Sequence, residues 1–274
     1  MFISFATRPA ELERENEDFF AATSTVAVLV DGERAPTGAM SGCSHGVAWF
    51  VRELGVRCLE AAANESVSLT DALRTAIYHV AGLHGHTCDL SHPVVPSAGV
   101  AMVREHRGQL EHLVLADAVL VARGASGTRA ITDHREATFA EQYRPLLGVL
   151  SQTGKTHNVA VKTYVEMLRE HRNHNGGFWI ASADPDAADH AITGVLHPTE
   201  AQVVAVLSNG ASRPVVSFDL LSWDYAIEEL AAGGPKRWLS RVRRAEDEDP
   251  HATRWPRTDV HAAATAAITL PDWV

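Results

Sequence analysis

A chain of 274 residues with 46% hydrophobic and 21% charged residues has the make-up of a globular protein long enough to bury a substantial core. Its 24 Lys and Arg against 34 Asp and Glu give a formal net charge of −10, which argues against nucleic acid or an anionic membrane as the main partner, since both select basic faces. No apolar run approaches a membrane span, no basic-then-apolar leader opens the chain, and Cys43, Cys58 and Cys88 form neither a paired framework nor a C-x-x-C spacing; the expectation is a cytoplasmic, reduced setting.

In chain order, Met1 to Ala6 reads as an edge strand, and an acidic stretch then ends in Asn16-Glu17-Asp18. Phe19 to Ala21 and Thr25 to Val30 form a strand pair around a turn at Ala22 to Ser24. Asp31-Gly32 closes the second of these. The dipeptide taken alone favours a plain hairpin turn, and it also fits a hard-cation site, where Asp supplies oxygen and Gly permits close approach. Val47, Phe50, Val51, Leu54, Cys58 and Leu59 recur at helical spacing within 45–63. Ser68 with Asp71 resembles a capping box opening a second helix, striped by Leu73, Ile77, Val80 and Leu83.

Strands are expected at Ser97 to Val103, Leu110 to Leu115, Val119 to Arg123 and Ala130 to Thr132, separated by short polar turns that suggest stacked antiparallel sheets. Residues 137–172 read as helical with a break at Thr153-Gly154. Gly154-Lys155-Thr156 is no phosphate loop, because the glycine needed five positions earlier is Val149 and a helix-like run precedes it. His174 to Trp179 reads as a turn or flap, and Gln202 to Leu207 as a buried strand ending at Ser208-Asn209-Gly210. Two helices, Ser222 to Ala232 and Pro235 to Asp247, meet at Gly233-Gly234-Pro235, before a last strand at Ala264 to Leu270. The basic residues from Lys236 to Arg244 run straight into Glu246 to Asp249, as on a solvated helix of mixed charge. No linker or internal repeat divides the chain, so one domain over 1–274 is expected.

A pattern of buried strand followed by small polar motif recurs at Asn16-Glu17-Asp18, Asp31-Gly32, Ala116-Asp117-Ala118, Asp133-His134-Arg135 and Ser208-Asn209-Gly210. This order and spacing resemble the type 2C, metal-dependent serine/threonine protein phosphatases, from about Asn16 to Ile268. An actinobacterial branch is suggested by segments such as Ser41 to Trp49, Thr87 to Pro93, Ala183 to Ala191 and Arg254-Trp255-Pro256. The resemblance implies an α+β fold: a central antiparallel β-sandwich flanked by helix pairs on both sides. It also implies a two-metal Mg2+ or Mn2+ cleft whose ions activate a water against a phosphoester.

Carried over residue by residue, Asp31 would bridge the ions and Gly32 would offer its carbonyl. Glu17 and Asp18 match the acidic pair that holds metal-bound waters, Asp117 matches the Asp of a Gly-Asp-Ser motif, and Asp133 a nearby acidic position. The departures fall at the second metal. Asn209 stands in place of Asp in the Ser-Asp-Gly motif, and Ala262 stands in place of an acidic residue near the C-terminus. An amide brings no charge and an alanine no ligand, so that site is weakened, while Glu17, Asp18, Asp31, Gly32 and Asp117 could retain a single Mg2+ or Mn2+ ion, or none.

Three functions follow from this: a pseudophosphatase that binds a phosphoprotein or other partner, a repurposed enzyme acting on a small-molecule ligand, or a weak one-metal phosphatase. In an altered cleft, Asp18, Asp31 and Asp117 with His45, His134 and His261 are the candidate acids and bases. His84-Gly85-His86-Thr87-Cys88, with Asp89 and His92 nearby, offers zinc-type ligands if extended, although the spacing is not a standard one. Cys43 near His45 raises the idea of a nucleophile, against which stands the ordinary role of cysteine as a small buried hydrophobe.

Overall fold

Three apolar layers of the sequence sort onto two stacked sheets and their helices in the computed structural model, which describes residues 1–33, 41–85, 87–92, 94–152, 159, 163 and 166–273. The described strands are β1 (Phe2–Arg8), β2 (Asp18–Ala22), β3 (Val26–Gly32), β4 (Ala98–His106), β5 (Gln109–Leu115), β6 (Val119–Gly124), β7 (Gly127–Ile131), β8 (Ile192–Leu196), β9 (Val203–Leu207) and β10 (Ala264–Leu270). The described helices are α1 (Val47–Ala62), α2 (Leu69–Leu83), α3 (Arg135–Gln152), α4 (Asn209–Val216) and α5 (Trp223–Asp247). One sheet has the order β1-β10-β9-β6-β7, the other β2-β3-β4-β5-β8, and every pairing is antiparallel.

Side-chain alternation explains why the strands read as continuous apolar runs. On β3, Val26, Val28 and Val30 pack with Phe50 and Leu54 of α1 and Leu73 and Ile77 of α2. Leu29 faces the other way, into the layer between the sheets, with Val103, Leu120 and Val206. A strand covered on both faces needs apolar residues at every position. The third layer joins Val121, Ala205 and Ile268 to Ile227, Leu230 and Trp238. Trp238 is fully buried, and its indole N–H donates to the Ala211 carbonyl at 2.9 Å, tying α5 to α4.

Local chemistry sets the helix ends. Ser68 caps α2 by accepting from the Asp71 N–H. The last turn of α1 ends on Arg104 of β4, whose Nη1 donates to the carbonyls of Ala62, Asn64 and Val67 while its Nε donates to Glu111. The two expected C-terminal helices are one element with a kink at Gly234, where φ is 76°. Two elements were not anticipated, β8 and α4. The expected break at Thr153-Gly154 and the residue His86 lie outside the described residues. Among the described residues, no helix is long and apolar enough to cross a membrane.

Candidate metal cleft

β2 and β3 pair so that Asp18 lies opposite Asp31, and β4 places Gly99 on the other side of Asp31. A Cβ on Gly99 would come within 3.3 Å of the Asp117 carboxylate, so the small residue there lets Asp117 in from the β5–β6 turn. That turn carries Ala116 at φ 58°, a left-handed conformation that costs an L-residue roughly 1 kcal/mol. Gly32 is required for contact rather than for φ. A Cβ there would lie 2.3 Å from the Glu17 carbonyl and 2.5 Å from Val47. Its own N–H donates to that carbonyl at 2.9 Å.

Asn209, the first residue of α4, closes the cluster. Its backbone N–H donates to Asp31 Oδ2 and its side-chain Nδ2 donates to Asp117 Oδ2, each at 2.5 Å. Ala262 is adjacent, its methyl 3.1 Å from where a Cβ on Gly210 would stand. The two departures from the phosphatase pattern are thus neighbours in space, beside the three aspartates. Asp133 sits close by, but both its oxygens are engaged by Arg135: Oδ1 accepts from the Arg135 N–H, and the guanidinium donates to both.

Burial without a cation raises the pKa values of these groups. Asp31 is pushed well above the usual carboxylate range by desolvation and then by the charges of Asp18 and Asp117. Burial also raises Asp18, against neighbouring hydroxyls of Thr265 and Ser208 that pull it down. Asp117 is raised to about 6, chiefly by desolvation, with the Asn209 amide opposing. Glu136, at the start of α3, is pushed well up by burial and by Asp117 and Glu33.

Both carboxylate oxygens of Asp18 are buried and make no hydrogen bond of good geometry, while Thr265 and Ser208 stand beside them. Orphaned oxygens opposite Asp31 fit one hard cation, held by Asp18 and Asp31 with carbonyl oxygen from the Glu17–Gly32 edge. The residues do not fit a second. Asn209 offers amide hydrogens to Asp31 and Asp117 where a carboxylate would offer oxygen, and Ala262 offers no ligand.

A cavity of about 200 Å3 opens beside this edge, with Glu17, Glu33, Cys43, Val47 and Pro96 in its wall. Glu33 accepts from the Ser97 hydroxyl at 2.7 Å and from the Arg172 guanidinium. Arg169 lies near Glu33 as well. The Nε and Nη1 atoms of both arginines are buried without a hydrogen-bond partner among the described residues.

The three candidate histidines fall in three different surroundings. His45 stacks on Trp49, ring centroids 4.2 Å apart, next to Cys43 and Cys88. His134 is exposed at the start of α3. His261 contacts Asp247 at 2.8 Å along a groove that also includes Arg8 and Arg243. Sequence reasoning passed over Glu33, Glu136, Arg169 and Arg172, which no short motif marks.

No protein-family model matches the sequence, and no curated protein matches it. Solved structures do match in fold. The catalytic domain of the serine/threonine protein phosphatase PstP, solved with two manganese ions, superposes with a TM-score of 0.56 at 14% identity over 97% of this chain and 96% of that one. The PPM Ser-Thr phosphatase MsPP from Mycobacterium smegmatis, solved with cacodylate, gives 0.52 at 16% identity over 98% and 97%. The serine/threonine phosphatase Stp1 from Staphylococcus aureus gives 0.56 at 11% identity over 98% and 94%. The chain has the fold of the type 2C, or PPM, serine/threonine phosphatases.

Proposed function

We propose that this chain, one domain on the phosphatase scaffold, is a pseudophosphatase that binds a phosphorylated protein without efficient turnover. The observation that carries this reading is Asn209. Its backbone N–H and its side-chain amide donate to Asp31 and Asp117, so two carboxylates that a dimetal centre would use are already accepting hydrogen bonds. Where two ions are bound, they activate a water and clamp the phosphoryl oxygens. With one of those sites lacking ligands, the clamp is lost while the scaffold remains. Arg172, paired with Glu33 of the cavity wall, and Arg169 near it place guanidinium charge behind that wall, the sign of charge a phosphate-bearing partner would meet.

The deciding measurement is a calorimetric titration with Mn2+ beside a phosphatase assay and a phosphopeptide-binding assay on the same protein. The expected result is at most one equivalent of Mn2+, phosphopeptide binding, and hydrolysis far below that of a two-metal phosphatase. Sustained, Mn2+-dependent hydrolysis of phosphopeptides would sink the proposal and leave the weak one-metal phosphatase in its place.

A second reading, an enzyme that uses the altered cleft on a small molecule, draws support from Asp117. A carboxyl raised to about 6 can give and take a proton near neutral pH. Under this reading Asp31→Ala and Asp117→Asn abolish turnover; if both variants keep full biological output, the reading is wrong.

A further inference from the structure

Outside the aspartate cleft, an antiparallel helix pair brings four soft ligands to one point. Because α1 and α2 run in opposite directions against the same sheet, the segment leading into α1 lies beside the segment leaving α2. The first carries Cys43-Ser44-His45, the second His84 through Cys88. One ligand atom from each of Cys43, His45, His84 and Cys88 lies within 4.8 Å of all the others, the one such His/Cys/Asp/Glu group of three or more among the described residues. Cys43 Sγ is 3.6 Å from His45 Nδ1 and 3.5 Å from His84 Nδ1, and Cys88 Sγ is 3.4 Å from His45 Nδ1. A tetrahedral zinc ion with bonds of about 2.3 Å to sulfur and about 2.05 Å to nitrogen separates those ligands by about 3.6 Å. The observed edges match that tetrahedron.

We infer that Cys43, His45, His84 and Cys88 form a structural zinc site that staples the start of α1 to the end of α2. Two thiolates and two neutral imidazoles make the site neutral with Zn2+, and the two thiol protons leave to solvent on binding. Backbone donors meet both sulfurs. The His45 N–H points at Cys43 Sγ at 3.3 Å and the Ser44 N–H at Cys88 Sγ at 3.4 Å, so each sulfur has a backbone donor. Trp49, one turn into α1, stacks on His45 and meets the edge of His84 at 5.1 Å, fixing both rings. Gly42 keeps the loop close: its carbonyl accepts from the Asp89 N–H at 2.7 Å, and a Cβ there would lie 2.3 Å from the Asp89 carbonyl.

All four ligands are held, so the site has no open position and is structural rather than catalytic. Its place gives it a consequence for the cleft. Cys43 and Val47 stand in the wall of the cavity that Glu17 and Glu33 also line. The zinc therefore fixes one wall of the pocket without touching Asp18 or Asp31.

The test is a titration of the reduced, anaerobic, full-length protein with Co2+ alone, followed by Zn2+. One equivalent of Co2+ should give the thiolate charge-transfer and intense visible bands of a tetrahedral site, and one equivalent of Zn2+ should bleach them. Zinc should also co-purify at one equivalent. Cys43→Ser with Cys88→Ser should abolish the cobalt bands, while Cys58→Ala, a core cysteine, and Asp31→Asn should leave them intact. The Asp31→Asn arm separates this site from the aspartate cleft, and the wild-type spectrum needs no variant to fold. Absence of tetrahedral bands in the reduced protein overturns the inference. So does their survival in the double cysteine variant, or a Cys43–Cys88 disulfide in protein kept reduced.

Discussion

The side-chain amide of Asn209 donates a hydrogen bond to the carboxylate of Asp117 at 2.5 Å, across 92 residues of sequence and between the two sheets' loops. An Asp in that place would set two carboxylates against each other unless a cation lay between them. The amide removes the need for the cation. Buried carboxylates without counter-charge are costly, and a neutral donor is the least expensive way to satisfy one.

Placing acids at these positions should therefore draw in an ion. Asn209→Asp combined with Ala262→Asp is expected to raise Mn2+ affinity at least tenfold by calorimetry, with phosphatase activity appearing where the native chain has little. If affinity and activity both stay flat, the pairing of these positions with a second metal site is wrong. Without Mn2+ the same double variant should melt at a lower temperature than the native chain.

Asp31, Asp117 and Glu136 all have pKa values raised in the folded state, so the folded protein holds protons that the unfolded chain releases. Stability from this source is fully present below the unfolded carboxyl value and is lost as pH rises through the folded one. For Asp117 the window runs from 3.8 to about 6. The cost is on the order of 2 kcal/mol once partial exposure is allowed for. Denaturation in chelator should show stability falling from pH 4 to 7, and Asp117→Asn should flatten that slope. A slope unchanged in the variant would show that Asp117 does not carry the effect.

Ala116 occupies a left-handed conformation in the turn that aims Asp117. Ala116→Gly removes the Cβ strain and is expected to raise stability by up to about 1 kcal/mol, less the entropy that glycine adds to the unfolded chain. Equilibrium urea unfolding measures it. A loss of more than 1 kcal/mol would mean that the buried methyl, packed with Phe178 and Ile180, outweighs the strain.

Gly32 faces the opposite demand. Gly32→Ala drives a methyl against the Glu17 backbone carbonyl and Val47, and should cost roughly 1–3 kcal/mol by overpacking, with Mn2+ affinity reduced as Asp18 and Asp31 move apart. Wild-type stability in this variant would show that β2 and α1 yield freely there.

Much of this architecture was legible because the buried strands are unbroken apolar runs, as at Val26 to Val30, and the helices carry a strong period, as in the α2 stripe. β8 was missed because Ile192–Leu196 is an edge strand, mostly exposed, with Gly194 at its centre and no alternation to see. The eight residues of α4 begin Asn-Gly, a turn signal, and contain Pro214. In the cleft, the hydrogen bonds from Asn209 to Asp31 and Asp117 are three-dimensional facts that no motif order carries. The cysteine–histidine cluster escaped for a simple reason. Reading His84 to Cys88 as extended put His84, His86 and Cys88 on one side, whereas His84 is the helical C-cap of α2 and turns toward Cys43 instead.

The strand order has a consequence for synthesis of the chain. β10 lies inside its sheet, between β1 and β9, with Phe2 opposite Leu270. That sheet pairs residues 2–8 with residues 264–270, so β1 has no partner until residues 264–270 have been translated, and its backbone hydrogen-bonding edge must wait unpaired. The sheet bearing Asp18 and Asp31 is complete at Leu196. The acidic half of the cleft can thus form on the ribosome well before the half that carries Ala262, and a chain stalled or clipped before residue 264 would display the first without the second.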